Sequence, residues 1–310
     1  MQVTSRHRLV TRSDFDGLVC AVLLRDLDLI DDITFVHPKD MQDGVVPISD
    51  RDITTNLPYV DGAHLVFDHH ASETLRNEPR DNHVIDPAAP SAARVVYDFY
   101  GGRDAFPSVS EEMMAAVDKA DSAQFELDEV LDPQGWVLLN FLMDARTGLG
   151  RFRNFRISNY ELMMELIDAC RNHGIDEILA LPDVAERVEL YREQEPLFRD
   201  QLARCTTVHG NLAVVDLRGE GTIHAGNRFL VYALHPEVNI SMHVMWGRQK
   251  QNVVFAVGKS IFDRTSRTDI GRMLLAYGGG GHANAGTCQV GHADADRTQR
   301  KLVAHVTADG

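Results

Sequence analysis

Three short stretches of the chain group residues able to do chemistry. The first, Ser13-Asp14-Phe15-Asp16-Gly17, reads as a strand-to-helix turn carrying two acids. Carboxylates two apart in an extended turn point the same way, so both can reach one hard cation. Either can instead cap the positive end of the following helix, and taken alone the capping reading leads. The second, Asp68-His69-His70, follows the strand-like run His64 to Phe67. A carboxylate and two imidazoles at one strand end suit Mn²⁺, Fe²⁺ or Zn²⁺, one residue ligating while a neighbour orients it. The plain alternative is a polar loop with two ordinary histidines. The third is Gly278 to Gly281 followed by His282-Ala283-Asn284-Ala285-Gly286. Glycines leave backbone N–H groups free to approach an anion, and His282 can donate to a phosphoryl oxygen. A flexible connector after a helix would not need the histidine and small-residue run, so anion binding leads.

These clusters need elements to position them. Strand-like segments at Arg8–Val10, Ile33–Val36, Ile53–Thr55, His64–Phe67 and His83–Ile85 alternate with helical patterns at Gly17–Leu27, Ser91–Tyr100 and Ser110–Lys119. That alternation predicts an α/β fold, a mostly parallel sheet covered on both faces. Such sheets bind ligands at the carboxyl ends of their strands. Asp14, Asp16, His37, Asn56, Asp68, His69 and His70 all fall just after a predicted strand. Residues 134–207 read as a helical linker, with one helix over Asn159–His173 and another over Asp183–Arg204 kinked or broken before Pro196. Strands at Leu212–Asp216, Phe229–Ala233, Ile240–Met245 and Val253–Val257, then a helix at Thr268–Tyr277, predict a smaller C-terminal α/β domain over 208–310. The first domain is expected over 1–133.

Length and charge agree with this partition. At roughly 100–200 residues per domain, 310 residues hold about two domains. The formal charge of −15 opposes a protein that coats nucleic acid or an anionic membrane. Cysteines at 20, 170, 205 and 288 form no CxxC pair, which argues against a disulfide framework or structural zinc and points to a reducing cytoplasm. The N-terminus MQVTSRHRLVTRSD lacks the apolar region of a secretory signal. Apolar runs such as Leu18 to Leu24 are too short to span a bilayer, so no membrane is expected.

Taken together, the motifs resemble those of the DHH phosphoesterase superfamily, named for the triplet that stands here as Asp68-His69-His70. SDFDGLVCAVLL at 13–24 resembles its first motif, and DPAAPSAARVVYDFY at 86–100 the helix start that follows the DHH strand. KADSAQF at 119–125 resembles its fourth motif, and GGGGHANAG at 278–286 the phosphate loop of the DHH-associated C-terminal domain. Order and spacing cover nearly the whole chain, and the oligoribonuclease-like or exopolyphosphatase-like two-domain proteins are the nearest subgroup. The resemblance implies metal-dependent hydrolysis of phosphoester or phosphoanhydride bonds. Two Mn²⁺ ions would activate water for in-line attack, with Mg²⁺ or another divalent ion as a substitute. It implies Asp14, Asp16, His69 and Asp121 as metal ligands. Asp68 would be a further ligand or an orienter, and His70 a group behind a ligand or on the substrate side. Gly279, Gly280, Gly281 and His282 would hold phosphate, with Ser260, Arg264 and Arg267 on the neighbouring phosphate-binding strand and turn. The site is expected in a cleft between a catalytic floor and a C-terminal lid.

Two positions depart from the family pattern. Where it has a His four residues before the first acid, or an Asp two before, this chain has Val10 and Arg12. Where it has a bridging Asp after the strand preceding DHH, the chain has Asn56, with Asp50 or Asp52 as alternative acids. Asn is a neutral oxygen ligand and bridges poorly. A one-metal or altered-metal enzyme follows, with Arg12 placing a fixed charge where a second ion sits or reaching the substrate phosphate. His37 is a possible replacement ligand; the alternative is an ordinary surface histidine.

Two basic segments break the acidic background. Residues 145–160 hold four arginines and no acid, interleaved with Phe152, Phe155 and Tyr160. That pattern suits single-stranded nucleic acid, but a connector with packed rings and paired arginines leads slightly. Residues 246–286 hold six basic residues against two acids, in the segment of the glycine loop. The leading functional reading is a metal-dependent phosphoesterase on a short oligonucleotide or another small phosphate ester, such as a di- to pentanucleotide or 3′-phosphoadenosine 5′-phosphate. The rivals are an exopolyphosphatase on inorganic polyphosphate and a catalytically weakened, nucleotide-binding regulatory protein. A homodimer through the first domain or the linker helices is compatible with the pattern.

Overall fold

The fold is described from a computed structural model covering residues 6–310. Residues 1–5, the start of the stretch read for a leader, lie outside the described residues. The chain forms two compact units. The first comprises residues 6–124, Gln134–Ala145 and Leu149–Glu189; the second comprises Phe125–Pro133, Arg146–Gly148 and Leu190–Gly310. The stretch read as a helical linker is therefore divided between the units.

In the first unit the chain runs β1 (His7–Arg12), α1 (Phe15–Asp26), β2 (Ile30–Val36), α2 (Pro38–Gln42), β3 (Asp52–Thr55), β4 (Leu65–Asp68), α3 (Ala71–Arg76), β5 (His83–Ile85), α4 (Ala92–Phe99) and α5 (Glu111–Asp121). All five strands are parallel, in the order β2-β1-β3-β4-β5. Leu9, Val10 and Thr11 are buried in succession, as a parallel strand covered on both faces requires. The expected alternation is what forms. Strand order reverses direction at β1 and β3, the switch point where the carboxyl ends of a doubly wound sheet open a crevice.

The helix α1 was expected to bury one face. Instead every residue from Phe15 to Leu24 is buried, because α4, α5 and α8 (Asn159–Asn172) all pack on it. A helix apolar all round belongs in the interior, and this one anchors the turn that precedes it. Gly17 makes the approach possible. A Cβ there would lie 2.0 Å from the Arg12 carbonyl oxygen and 2.9 Å from Thr11 Oγ1.

After α6 (Leu127–Leu131), α7 (Gly135–Met143), α8 and α9 (Ile175–Leu179), the chain enters α10 (Pro182–Cys205). Of the kink or break expected before Pro196, a break does not occur; the helix continues through it. Pro196 lies on the exposed side, where water can satisfy the carbonyl that loses its partner. Arg187 on α10 is buried under the segment read as a connector. Its guanidinium donates to the carbonyls of Asp183 and Ile157 and stacks 4.1 Å from the Phe155 ring. Arg156 pairs with Asp183 at 3.7 Å. These contacts favour packing over nucleic-acid stacking for Phe155 and Arg156.

The second unit continues with β6 (Thr206–His209), β7 (Leu212–Asp216), α11 (Leu230–Leu234), β8 (Ile240–Trp246), β9 (Val253–Lys259), α12 (Ile270–Leu275), β10 (Gly280–His282), β11 (Ala285–Val290) and α13 (His292–Asp309). Its sheet is mixed, in the order β10-β11-β9-β8-β7-β6, with only β7 and β8 parallel. Alternate residues such as Ile240, Met242, Val244, Val253, Phe255 and Val257 form a core with Ile270, Leu274, Leu302 and Val306 of α12 and α13.

Two elements differ from expectation. Phe229–Ala233, read as a strand, is the helix α11: Asn227 Oδ1 accepts from Phe229 N at 2.9 Å and turns the chain, and a five-residue apolar run carries no period to separate the two. The helix at Thr268–Tyr277 is shorter, because Asp269 caps it by accepting from Arg272 N at 3.0 Å. The glycine run leads into the edge hairpin β10–β11, where Gly280 pairs with Thr287 and Gly281 with Gly286. All four cysteines are free thiols, and no described helix is long and apolar enough to cross a membrane.

Candidate functional site

The ends of β1, β3 and β4 and the start of α1 and α4 bring the first-unit candidates together. Asp16 is 2 % exposed at the first turn of α1. Its two oxygens accept from the backbone N–H groups of Ala93, at 2.7 Å, and Ala92, at 3.1 Å. The carboxylate therefore sits on the positive end of α4, which Ser91 caps by accepting from Arg94 N. His69 follows β4. Its Nδ1 lies 3.2 Å from the Ala89 carbonyl oxygen, which orients the ring and turns Nε2 toward Asp121 at the end of α5. His69 Nε2 and Asp121 Oδ2 are 2.8 Å apart.

One ligand-type atom from each of Asp16, His69 and Asp121 lies within 4.8 Å of the others. Their electrostatics show mutual dependence. Burial, then the charge of Asp121, drives the Asp16 carboxyl well above its ordinary range. Burial opposes a charge on His69 as well, but the Asp121 carboxylate outweighs it and raises the imidazole to about 9. Asp121 moves the other way: burial pushes it up, and His69 overcomes this and holds it low. Protons thus stand in for cationic charge among three groups that an ion could bind directly.

The donor set fits a divalent metal ion. His69 Nε2 is buried and, despite the short approach to Asp121, has no hydrogen-bond partner. A ring nitrogen and carboxylate oxygens that converge on one point are the arrangement ligands take around an ion. An imidazole with two carboxylates is compatible with Mn²⁺, Fe²⁺ or Zn²⁺, whereas Mg²⁺ prefers oxygen and water. Asp68 lies behind this set, fully buried. Its Oδ1 accepts from His69 N at 2.9 Å and from His70 Nδ1 at 2.7 Å.

Asp14 stands beside the set with different company. It caps α1 by accepting from Gly17 N at 3.0 Å, accepts from Asn56 Nδ2 at 3.3 Å, and pairs with Arg12 Nε at 3.0 Å. Asn56 ends β3 in the left-handed region at φ 55°, where Asn is among the few tolerated non-glycine residues. Val10 is fully buried against Met41 and Leu57 and offers no ligand atom. Neither alternative acid reaches this edge. Asp52 takes a two-pronged grip from Arg8 at 2.7 and 2.9 Å at the start of β3, the opposite end of the sheet, and Asp50 precedes it. His37 caps α2, its Nδ1 accepting from Lys39 N at 3.2 Å.

In the second unit the phosphate candidates have local duties. A Cβ at Gly279 would meet the Thr287 carbonyl oxygen at 2.2 Å, and one at Gly281 the Ala285 carbonyl oxygen at 2.3 Å; only Gly280 of the three faces open space. Ser260 Oγ accepts from Phe262 N and Asp263 N, forming a turn. Arg264 Nε donates to the Ile261 carbonyl at 3.2 Å, and Arg267 Nε to that of Asp309 at 2.9 Å. His282 is exposed on β10.

Sequence reasoning missed the backbone groups of the site. The Ala92 and Ala93 N–H groups and the Ala89 carbonyl carry no side-chain signature, although Ser91 as an N-cap marks the helix start that supplies two of them.

No protein-family model and no curated protein sequence matches the chain. Among solved structures it is similar to the pGpG-specific phosphodiesterase PggH from Vibrio cholerae. The identity is 66% over 98% of this chain and 100% of that one, with a TM-score of 0.87. It is also similar in fold to RecJ in complex with Mn²⁺ from Thermus thermophilus, at 15% identity, covering 98% of this chain and 52% of that one, TM-score 0.53.

Proposed function

The chain belongs to the DHH phosphoesterase superfamily, and on that premise we propose that it is a metal-dependent phosphodiesterase that hydrolyses pGpG, a linear guanine dinucleotide. The carrying observation is the 66% identity over the full length of the pGpG-specific enzyme. The convergence of Asp16, His69 and Asp121 at the carboxyl edge of the parallel sheet supports it. This reading narrows the expected range of oligoribonucleotides and 3′-phosphoadenosine 5′-phosphate to one dinucleotide.

In the reaction, water attacks the phosphorus joining the two nucleosides. The bond to the 3′ oxygen breaks, that oxygen takes a proton, and two GMP molecules result. Asp16, His69 and Asp121 would hold the ion, proposed as Mn²⁺. A divalent ion there would offset charge on the phosphate oxygens and make a nearby water more acidic. Asp68 accepts a hydrogen bond from His70 Nδ1, which would leave Nε2 to exchange a proton with substrate. We assign His70 the proton delivered to the leaving 3′ oxygen. His282 and the open backbone at Gly280 are the second unit's candidates for the substrate's terminal phosphate, with Arg264 a further candidate.

The test is turnover by the purified chain with Mn²⁺ on pGpG, a pentanucleotide, 3′-phosphoadenosine 5′-phosphate and polyphosphate. GMP from pGpG, with far slower release from the others, is the expected result. Phosphate from polyphosphate without GMP from pGpG would move the reading to an exopolyphosphatase. Binding of pGpG without turnover under any metal would move it to a regulatory protein.

A further inference from the structure

We propose that the centre holds a single divalent ion, and that the Arg12 guanidinium supplies beside Asp14 the positive charge a second ion would bring. The proposal rests on the phosphodiesterase reading only in taking Asp16, His69 and Asp121 as the metal site.

Charge balance makes the first argument. Asp16 and Asp121 bring two negative charges to one point, and a single dication with a neutral His69 cancels them. Asp14 is balanced separately by Arg12 at 3.0 Å. Asp68 lies behind the set, accepting hydrogen bonds from His69 N and His70 Nδ1.

The second argument is the supply of ligand atoms. Asp14 Oδ1 already accepts from Gly17 N and Asn56 Nδ2, and its Oδ2 faces Arg12. An acid in place of Asn56 would set a second carboxylate against Asp14, a repulsion that only a cation between them relieves. Asn56 donates there instead, so the contact is attractive with no ion present. Val10 has no donor atom, His37 caps α2, and Asp52 is bound by Arg8 at the far end of the sheet. A second dication at Asp14 would also have to settle against the fixed charge of Arg12.

Metal-free chain titrated with Mn²⁺ tests this through stoichiometry and electron paramagnetic resonance. One Mn²⁺ per chain with the six-line spectrum of an isolated ion is expected. Two ions per chain with an exchange-coupled spectrum would overturn the proposal. The double variant Arg12→Ser, Asn56→Asp removes the guanidinium and installs an acid opposite Asp14. Its uptake should rise from one ion to two, and uptake that stays at one would overturn the role given to Arg12. The two readings fail separately. One ion with no turnover of pGpG sinks the phosphodiesterase and leaves the single-ion centre standing; two ions with turnover does the reverse.

Discussion

The wholly buried carboxylate of Asp68 accepts a hydrogen bond from His70 Nδ1 at 2.7 Å. One residue of the triplet thereby fixes the ring orientation of another, and the same oxygen holds the His69 backbone N–H. Carboxylates behind an imidazole set its tautomer and basicity, and losing them typically lowers activity about 10–100-fold. Asp68→Asn should therefore reduce kcat on pGpG by that order while leaving KM nearly unchanged. Steady-state kinetics decides it; a kcat equal to wild type would remove Asp68 from the positioning of His70.

His69→Ala deletes the nitrogen of the converging set and leaves Asp16 and Asp121 facing each other. Mn²⁺ binding measured by calorimetry should be lost, and turnover should fall by more than about 100-fold, beyond the effect of an outer partner. Circular dichroism serves to verify that the variant is folded. Retained Mn²⁺ affinity would exclude His69 as a ligand.

Gly17→Ala tests the turn rather than the chemistry. The new Cβ would fall 2.0 Å from the Arg12 carbonyl oxygen, so β1 or α1 must shift. Overpacking of this kind costs about 1–3 kcal/mol. The urea midpoint should drop accordingly, and Arg12, Asp14 and Asp16 should lose their registration together. An unchanged midpoint would show that the approach is looser than described.

His243 on β8 gives the second unit a dependence on pH. Burial, reinforced by the charge of Arg228, lowers its imidazole to about 4. The unfolded chain takes up this proton near pH 6.5, whereas the folded chain refuses it until about pH 4. Stability is complete above pH 6.5 and falls across that window by up to about 1.4 kcal/mol per pH unit. Urea unfolding at pH 7 and pH 4.5 should show a smaller loss for His243→Gln than for wild type. Equal losses would mean that His243 titrates alike in both states.

Much of the first unit was legible because its strands are short apolar runs with clear stops, and each stop carries a residue with chemistry. The second unit was less legible. Phe229–Ala233 is apolar enough for either state, and the side chain of Asn227, not local propensity, sends it into α11. The glycine run reads in sequence only as backbone N–H groups able to approach an anion. Gly279 and Gly281 are also close-packed against the backbone of β11, a demand that only the paired hairpin creates. The long C-terminal helix α13 formed no part of the sequence reading, since its core positions Leu302 and Val306 gain meaning only beside the second sheet.

The order and type of the chemical residues were determined by the sequence alone: an acid pair after one strand, the Asp68-His69-His70 triplet after another, Asp121 at a helix end, Arg12 and Asn56 where the family pattern has ligands. What only the tertiary structure decided is which lone pairs share a point. Asp14 and Asp16 are the same residue two positions apart. Asp14 faces Arg12, Asn56 and its own helix, whereas Asp16 reaches the N-terminus of α4 and converges with His69 and Asp121. The physical reason is that partners remote along the chain, Asn56 at 42 residues from Asp14 and Ala92 at 76 from Asp16, are supplied by packing, which no local pattern encodes.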